Sequence, residues 1–344
     1  MNIIIPMAGW GSRLRPHTLT VPKPMIKIAG RSIVEHLVEN LLSVCPEKVN
    51  ILSFIIRRDF GVEVENELKE ISAKYKTPFS IHYQEEPLGT AHAIYAAQEY
   101  LKGNVIVAFA DTVFRADFKI DTSKDGVIWV QKIDDPTAFG VVKLNDKNEI
   151  TDFVEKPKTF VSDLAIIGVY FFKSGEALKS EIQHLLNNDL KEKGEYQLTN
   201  ALENLKQKGA VFIPGQVIEW LDCGNKDATV YSNQRILENL NNNNADLISK
   251  SITLASSTII PPCFIDEGVS LTNCVVGPHV SIGKNTNLEN VVISNSMVQS
   301  NTEIKNKKIK NSMIGSNVSM NGSQADLSLL ACEELSLGDY NTLK

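Results

Sequence analysis

Ile3-Ile4-Ile5-Pro6-Met7-Ala8-Gly9-Trp10-Gly11-Ser12-Arg13 opens the chain, and the change of character inside it decides the fold. Three consecutive isoleucines followed by a Gly-containing turn read as a buried strand that ends in a functional loop. Working outward, residues 33–42 carry helical periodicity, 49–56 read as a strand, 62–75 as a helix and 91–101 as a helix. Residues 105–110 read as a second buried strand, ending at Asp111. Strands alternating with helices predict a mostly parallel sheet with helices on both faces. The middle changes pattern: 127–132, 140–144, 150–155 and 164–172 read as consecutive strands. Helices follow at 177–186 and 197–207, short strands near Val211 and Ile218, and a helix over 226–240.

Asn241-Asn242-Asn243-Asn244 has no apolar face to bury and reads as the start of a linker. Beyond it aliphatic residues recur at steps of five or six: Ile259, Ile265, Leu271, Val276, Ile282, Leu288, Ile293, Val298, Ile304, Ile309 and Ile314. Turn formers such as Gly268, Asn273, Gly283, Asn285 and Asn301 fill the gaps. A period near six suits neither a helix nor a simple strand, and predicts a parallel β-helix in which each flat face turns one aliphatic residue inward. The expected organisation is a catalytic domain over 1–240, an Asn-rich linker over 241–255, and a hexapeptide-type β-helix with a tail over 256–344. The repeat is expected to run for about four coils before the polar stretch 301–310. Residues 324–344 read as a terminal helix or cap.

The chain of 344 residues carries a formal net charge of −6, which argues against a binder of nucleic-acid polymers. Five cysteines with no C-x-x-C pair argue against a disulfide framework or a zinc site and suit a reducing, cytoplasmic setting. No apolar run approaches the ~20 residues a membrane span needs. The N-terminus lacks the basic and apolar regions of a signal peptide.

In Gly9-Trp10-Gly11-Ser12-Arg13-Leu14-Arg15-Pro16, followed by Pro22-Lys23-Pro24-Met25, the glycines let backbone N–H groups approach phosphate oxygens. Arg13 offers a planar fork and Lys23 a point charge on a Pro-stiffened segment. The motif is neither a Rossmann fingerprint nor a Walker A loop. A Gly-x-Gly alone is most often a turn; joined to Arg13 and Lys23 at the end of a first strand, it points to phosphate. An Asp at the carboxyl end of a parallel strand, as Asp111 is here, lies where ligands bind in open α/β sheets.

These segments resemble the signature of the sugar-1-phosphate nucleotidyltransferases, G-x-G-[ST]-R-[LM]-x-P…P-K. The resemblance covers about residues 2–240, and a left-handed β-helix extension occurs in several branches of that family. It implies a mixed, mostly parallel Rossmann-like α/β sheet of the nucleotide-diphospho-sugar transferase type. It also implies that Arg13 and Lys23 act on the phosphates, with Ala8, Gly9 and Gly11 against the nucleotide. Gln84-Glu85-Glu86-Pro87-Leu88-Gly89-Thr90-Ala91 resembles the base-reading segment, which assigns Gln84, Pro87, Gly89 and Thr90 to the nucleotide. Gln84 can match the polar edge of a pyrimidine because its amide both donates and accepts.

Phe139-Gly140-Val141, Glu155-Lys156-Pro157 and Leu164-Ala165-Ile166-Ile167-Gly168-Val169-Tyr170 resemble the segments that hold the sugar phosphate. They assign Gly140, Glu155, Lys156, Ile166 and Tyr170 to it, together with Trp220. Ala110-Asp111 stands where the family usually has Gly-Asp, and Trp220-Leu221-Asp222-Cys223-Gly224 resembles W-x-D-x-G. Asp111 and Asp222 are thereby implied to hold Mg²⁺. Gly194-Glu195-Tyr196-Gln197-Leu198-Thr199 also resembles a family segment and carries no catalytic assignment.

The expected reaction moves a nucleoside monophosphate from an NTP to a sugar 1-phosphate and releases pyrophosphate. The L-A-x-x-G-x-Y strand and Gln84 favour dTTP or UTP with glucose 1-phosphate; the alternative is GTP with mannose 1-phosphate. A silent regulatory subunit would have shed the charged residues that are all present here. Acyl transfer by the β-helix is set aside because His279 is the only histidine there. NTP and sugar 1-phosphate are the expected partners, in a homo-oligomer.

Overall fold

A computed structural model describes residues 1–323, 328 and 331–343. By packing, these fall into two compact units, one of Met1–Gly9 with Val34–Trp220 and one of Trp10–Ile33 with Leu221–Lys344.

The first unit is built on a nine-stranded mixed sheet. Its strands are β1 (Asn2–Pro6), β2 (Ile51–Ile56), β3 (Phe79–Tyr83), β4 (Val105–Ala108), β6 (Gly126–Lys132), β7 (Gly140–Leu144), β8 (Ile150–Glu155), β9 (Leu164–Phe172) and β10 (Phe212–Gln216), with β5 (Thr112–Arg115) outside it. Its main path runs β8-β7-β9-β4-β1-β2-β3, and β6 joins β9 to β10. β3, β2, β1 and β4 are mutually parallel, with Ile3 opposite both Leu52 and Ile106. Ile3, Ile4 and Ile5 are fully buried, as a strand covered on both faces must be. β9 then joins β4 antiparallel, so parallel pairing is confined to the first half and to β6–β10.

Helices α1 (Ile33–Val44), α2 (Gly61–Lys74), α3 (Thr90–Tyr95), α4 (Gly175–Asn187) and α5 (Leu198–Gln207) bury one stripe each. α3, α4 and α5 share a core cluster with Ile4, Val107, Ile128, Tyr170 and Phe172. α3 is shorter than the expected 91–101. After Tyr95 the chain tightens, with Ala97 N–H bonded to Ile94 O, and continues as a 3₁₀ turn over Gln98–Tyr100.

The second unit contains a parallel β-helix. Ten of the eleven expected inward aliphatic residues, all except half-buried Ile259, are buried. Strands stack in parallel through Asn287–Ser294, Glu303–Lys310 and Ser319–Asn321. The coil therefore does not stop at 301–310. In Glu303–Lys310 only Ile304 and Ile309 point inward, and the lysines between them stay near the surface. Charge hid an intact period. The described part of the tail is also β: Ser336–Leu337 pairs with Met313–Ile314, and Thr342–Leu343 with Ser319 and Met320. A terminal helix is thus not found among the described residues of 324–344; 324–327, 329–330 and 344 lie outside them.

Asparagines with positive φ turn the corners, among them Asn273, Asn290 and Asn306, a conformation that Asn tolerates better than most side chains. Their amides form a column. Asn273 Nδ2 donates to Asn290 Oδ1, seventeen residues away, and Asn290 Nδ2 to Asn306 Oδ1, sixteen away, both at 2.8 Å.

Helix α6 (Lys226–Asn242), capped by Asn225 accepting from Ala228 N–H, and the loop 10–33 belong to the same unit. Buried Asn233 of α6 accepts from Ala29 N–H at 2.9 Å and from Ser281 Oγ at 2.6 Å, tying helix, loop and β-helix at one atom. Gly30 lies so close to the Phe264 ring that a Cβ would come within 2.3 Å of it. His17 is buried in the loop, and burial draws its imidazole down to about 4 against the pull of the Asp339 carboxylate. The unfolded chain then takes up a proton near 6.5 that the folded chain refuses until about 4. Stability should therefore fall as pH drops through that window, by up to about 3 kcal/mol. Urea midpoints at pH 7 and pH 4.5 should differ more for wild type than for His17→Gln; equal differences would contradict the buried, neutral imidazole.

Candidate active site

Each unit carries part of the residues that the motifs single out. In the first unit β1 and β4 end side by side, and Ala110 N–H bonds to Pro6 O at 3.3 Å. Ala8 and Gly9 follow β1; Phe109, Ala110 and Asp111 follow β4. Ala110, where the family usually has Gly, is buried without displacing this bond. Gly168, at φ +85, gives its carbonyl to Phe109 N–H at 2.9 Å, and Ile167 O accepts from Thr112 Oγ1 at 2.7 Å. Pairing between β9 and β6 shifts register between Ile166 and Tyr170, so the strand carrying both residues bends beside Asp111.

The sugar-phosphate candidates meet in this unit. A Cβ on Gly140 would lie 3.0 Å from Glu155 Oε2 and 3.3 Å from Ile166 Cδ1, so glycine leaves room for the carboxylate. Burial pushes the Tyr170 phenol well above its ordinary range, and the carboxylates of Glu155 and Asp111 push it further. Both carboxylates are thus close enough to act on the Tyr170 hydroxyl. Lys156 sits at φ 45 with its N–H bonded to Phe139 O at 3.2 Å; its Nζ is 3.6 Å from Glu155 Oε1 and mostly exposed. Phe139 and Trp220 meet edge to face at 4.9 Å. Ile218 N–H bonded to Arg115 O, and the Arg115–Glu219 ion pair at 3.2 Å, secure the start of β11 (Glu219–Asp222).

The base-side candidates form a second cluster. Gln84, 8% exposed, follows β3 and donates from Nε2 to Gly89 O and to His92 Nδ1, both at 3.1 Å. Its donor side is thus committed internally, and Oε1 accepts no bond among the described residues. Gly89 has φ +113, and a Cβ there would lie 2.6 Å from Tyr196 O and 2.7 Å from Tyr196 N. Tyr196 N–H bonds to Leu88 O at 2.8 Å, and Ala91 N–H to Tyr196 O at 2.9 Å. Thr90 Oγ1 accepts from Leu198 N–H at 2.9 Å, so this hydroxyl holds the start of α5. Pro87 is exposed. The segment 195–198, given no role from sequence, is what locks 88–91. Its partner is more than a hundred residues away in the chain, so the only local signal was the unexplained Glu-Tyr-Gln-Leu run.

In the second unit Gly11, at φ +78, lies against Lys23: a Cβ there would be 2.6 Å from Lys23 Cβ. Arg13 lies exposed in a 3₁₀ turn over Ser12–Leu14, closed by Leu14 N–H to Gly11 O at 2.9 Å. Thr18 Oγ1 donates to the same carbonyl at 2.8 Å. Lys23, 5% exposed, begins the 3₁₀ turn Lys23–Met25 behind Pro22. Asp222 ends β11. Its carbonyl accepts from Ser232 Oγ at 2.9 Å, and a Cβ on Gly224 would stand 2.7 Å from its Oδ2, so only glycine allows this close approach of the carboxylate. Asp111 in the first unit and Asp222 in the second each offer hard carboxylate oxygens, the donor type that Mg²⁺ prefers. No group of three or more metal-binding side chains gathers among the described residues. No described helix is long and apolar enough to cross a membrane.

Comparison with known proteins bears on the family and the fold. The family model for nucleotidyl transferases matches residues 2–239. The bifunctional protein GlmU of Methanococcus vannielii is 29% identical over 317 residues, 86% of this chain and 72% of the relative. The glucose-1-phosphate thymidylyltransferase of Streptomyces antibioticus is 28% identical over 310 residues, 84% of each chain. The chain spans between 60% and 72% of the length of the first GlmU relatives. Among solved structures, a putative glucose-1-phosphate thymidylyltransferase from Bacillus anthracis superposes with TM-score 0.59 at 21% identity, over 68% of this chain and 94% of that one, which establishes the shared fold.

Gly89→Ala should lose the Tyr196 contact. We expect residues 85–91 to exchange amide hydrogens at least about tenfold faster, as loss of a tightly packed turn entails. Exchange unchanged from wild type would show that the 88–91 to 195–198 contact does not hold the loop. By sequence over residues 2–239, and by fold, the chain belongs to the nucleotidyl transferase family.

Proposed function

We propose that this enzyme transfers a nucleoside monophosphate from an NTP, with dTTP or UTP favoured, to a sugar 1-phosphate, with glucose 1-phosphate favoured, releasing pyrophosphate. The observation that carries the reading is the convergence of Gly140, Glu155, Ile166 and Tyr170 with Asp111 in the first unit. An acid beside a glycine gap suits sugar hydroxyls, and Lys156 beside it suits the sugar phosphate. A pyrimidine fits Gln84, whose Oε1 can accept from the ring N–H while His92 and Gly89 O hold the other side of the amide.

A sugar 1-phosphate is mostly dianionic near neutrality, its second pKa being about 6, so its oxygen needs no general base. The barrier is repulsion between two phosphate groups. Arg13 and Lys23 would bind the triphosphate and the oxygen that attacks the α-phosphorus, and Lys156 the sugar phosphate. The P–O bond to pyrophosphate breaks as the new one forms in line. Mg²⁺, when bound by Asp111 and Asp222, would neutralise charge on the transferring group. The mononucleotide and hexose identities rest on motif resemblance and on Gln84. A matrix of five triphosphates against several hexose 1-phosphates, read as released pyrophosphate, tests them. No turnover on any pair would overturn the reading.

Two variants probe the assignments. Lys156→Ala should raise KM for sugar 1-phosphate about tenfold while KM for the nucleotide stays near wild type, since only a charge-assisted contact to the sugar phosphate is removed. Equal changes in both would undo its assignment. Asp111→Asn should keep the thermal midpoint within a few degrees and lower kcat on the order of a thousandfold. Turnover that persists in excess chelator would contradict the metal role.

A further inference from the structure

The second unit joins the end of its β-helix to the loop that carries Arg13 and Lys23. Ser336–Leu337 forms the last described strand on one face, and residues 338–341 turn away from it. Three contacts run from this coil to residues 16–20. Thr20 Oγ1 donates to Asp339 Oδ2 at 2.7 Å. His17 Nε2 lies 3.2 Å from Ser336 Oγ. Gly338 approaches Pro16 so closely that a Cβ would come within 2.9 Å of its carbonyl oxygen. The carboxylate that receives Thr20 is itself anchored, because Asp339 Oδ1 accepts from Ser316 N–H of the preceding coil at 2.7 Å.

The grip continues toward the cations. Thr18, between His17 and Thr20, donates to Gly11 O, the acceptor that also closes the 3₁₀ turn containing Arg13. On the far side of Lys23, Gln299 of the β-helix donates from Nε2 to Lys27 O at 3.0 Å. The loop is therefore held by the β-helix on both sides of Lys23, by bonds that span roughly three hundred residues of sequence. Loops that must place charge need outside support, because a 3₁₀ turn of three residues has little stability of its own.

We propose that the terminal coil 336–341 is a positioning element for the nucleotide's phosphates: Asp339 acting through Thr20, and Ser336 through His17, set where Arg13 and Lys23 stand. The β-helix then takes part in nucleotide binding through the loop it holds. The inference rests on the proposed nucleotidyl transfer, in which Arg13 and Lys23 meet the triphosphate.

The test uses the full-length protein with dTTP and glucose 1-phosphate. Thr20→Val keeps the size of the side chain and removes the hydroxyl; Thr20→Ser restores the hydroxyl; Asp339→Asn removes the charge. We expect Thr20→Val and Asp339→Asn to raise KM for dTTP roughly fivefold, as loss of a charge-assisted bond implies, with KM for glucose 1-phosphate within about twofold of wild type. Thr20→Ser should stay near wild type. Amides 12–20 should exchange faster in the two weakened variants and not in Thr20→Ser. Wild-type KM for dTTP and wild-type exchange in Thr20→Val, or equal rises in both KM values, would overturn the proposal. If wild type itself turns over no substrate pair, the proposed function fails, and the exchange comparison alone still decides whether the coil holds the loop.

Discussion

β1 has parallel partners on both sides, and the rest of the first unit depends on that pairing. All five of its residues pair with β2 and Asn2–Ile4 pair with β4 as well, so its three isoleucines can be wholly buried while the backbone is hydrogen-bonded on both sides. Parallel register also makes β1 and β4 finish at the same edge. A chain leaving such an edge must turn sharply, and the turns after Pro6 and Ala108 are where Gly9 and Asp111 lie. Strands ending in register deliver short, rigid loops to one place, which is where the proposed chemistry draws on Gly9 and Asp111.

Antiparallel strands extend this edge with a different logic. β7, β8 and β9 carry Gly140, Glu155, Ile166 and Tyr170, and their fit depends on what is missing. A methyl group at position 140 would crowd the Glu155 carboxylate; one at 89 would strike the backbone of Tyr196. In both places the small residue lets a functional or supporting group approach more closely than an alanine permits. Burial also acts on Tyr170, whose phenol it raises above the ordinary range, with the Glu155 and Asp111 carboxylates adding to the shift.

Much of this was readable because the decisive patterns are local. Apolar runs, helical stripes and the six-residue step of the β-helix are properties of short windows, and strands β6 to β9 occur at the positions their runs predict. The reading failed where composition masked period. Lys305, Lys307, Lys308 and Lys310 made 301–310 look like the end of the repeat, although Ile304 and Ile309 keep their inward places. Contacts between distant segments were beyond it. Nothing near Thr90 reveals that its hydroxyl serves Leu198, and Asp339 gives no local hint of Thr20.

The asparagine column has a bearing on how this half of the molecule can change over generations. Corner residues stand sixteen or seventeen positions apart and bond only when they stack. Deleting one residue within a face would turn the aliphatic residue of that face outward, whereas a corner can absorb the change, as the seventeen-residue step from Asn273 beside the sixteen-residue step from Asn290 shows. Lineages of this protein should therefore lengthen or shorten the solenoid by whole turns, and single-residue gaps should collect at its corners rather than along its faces.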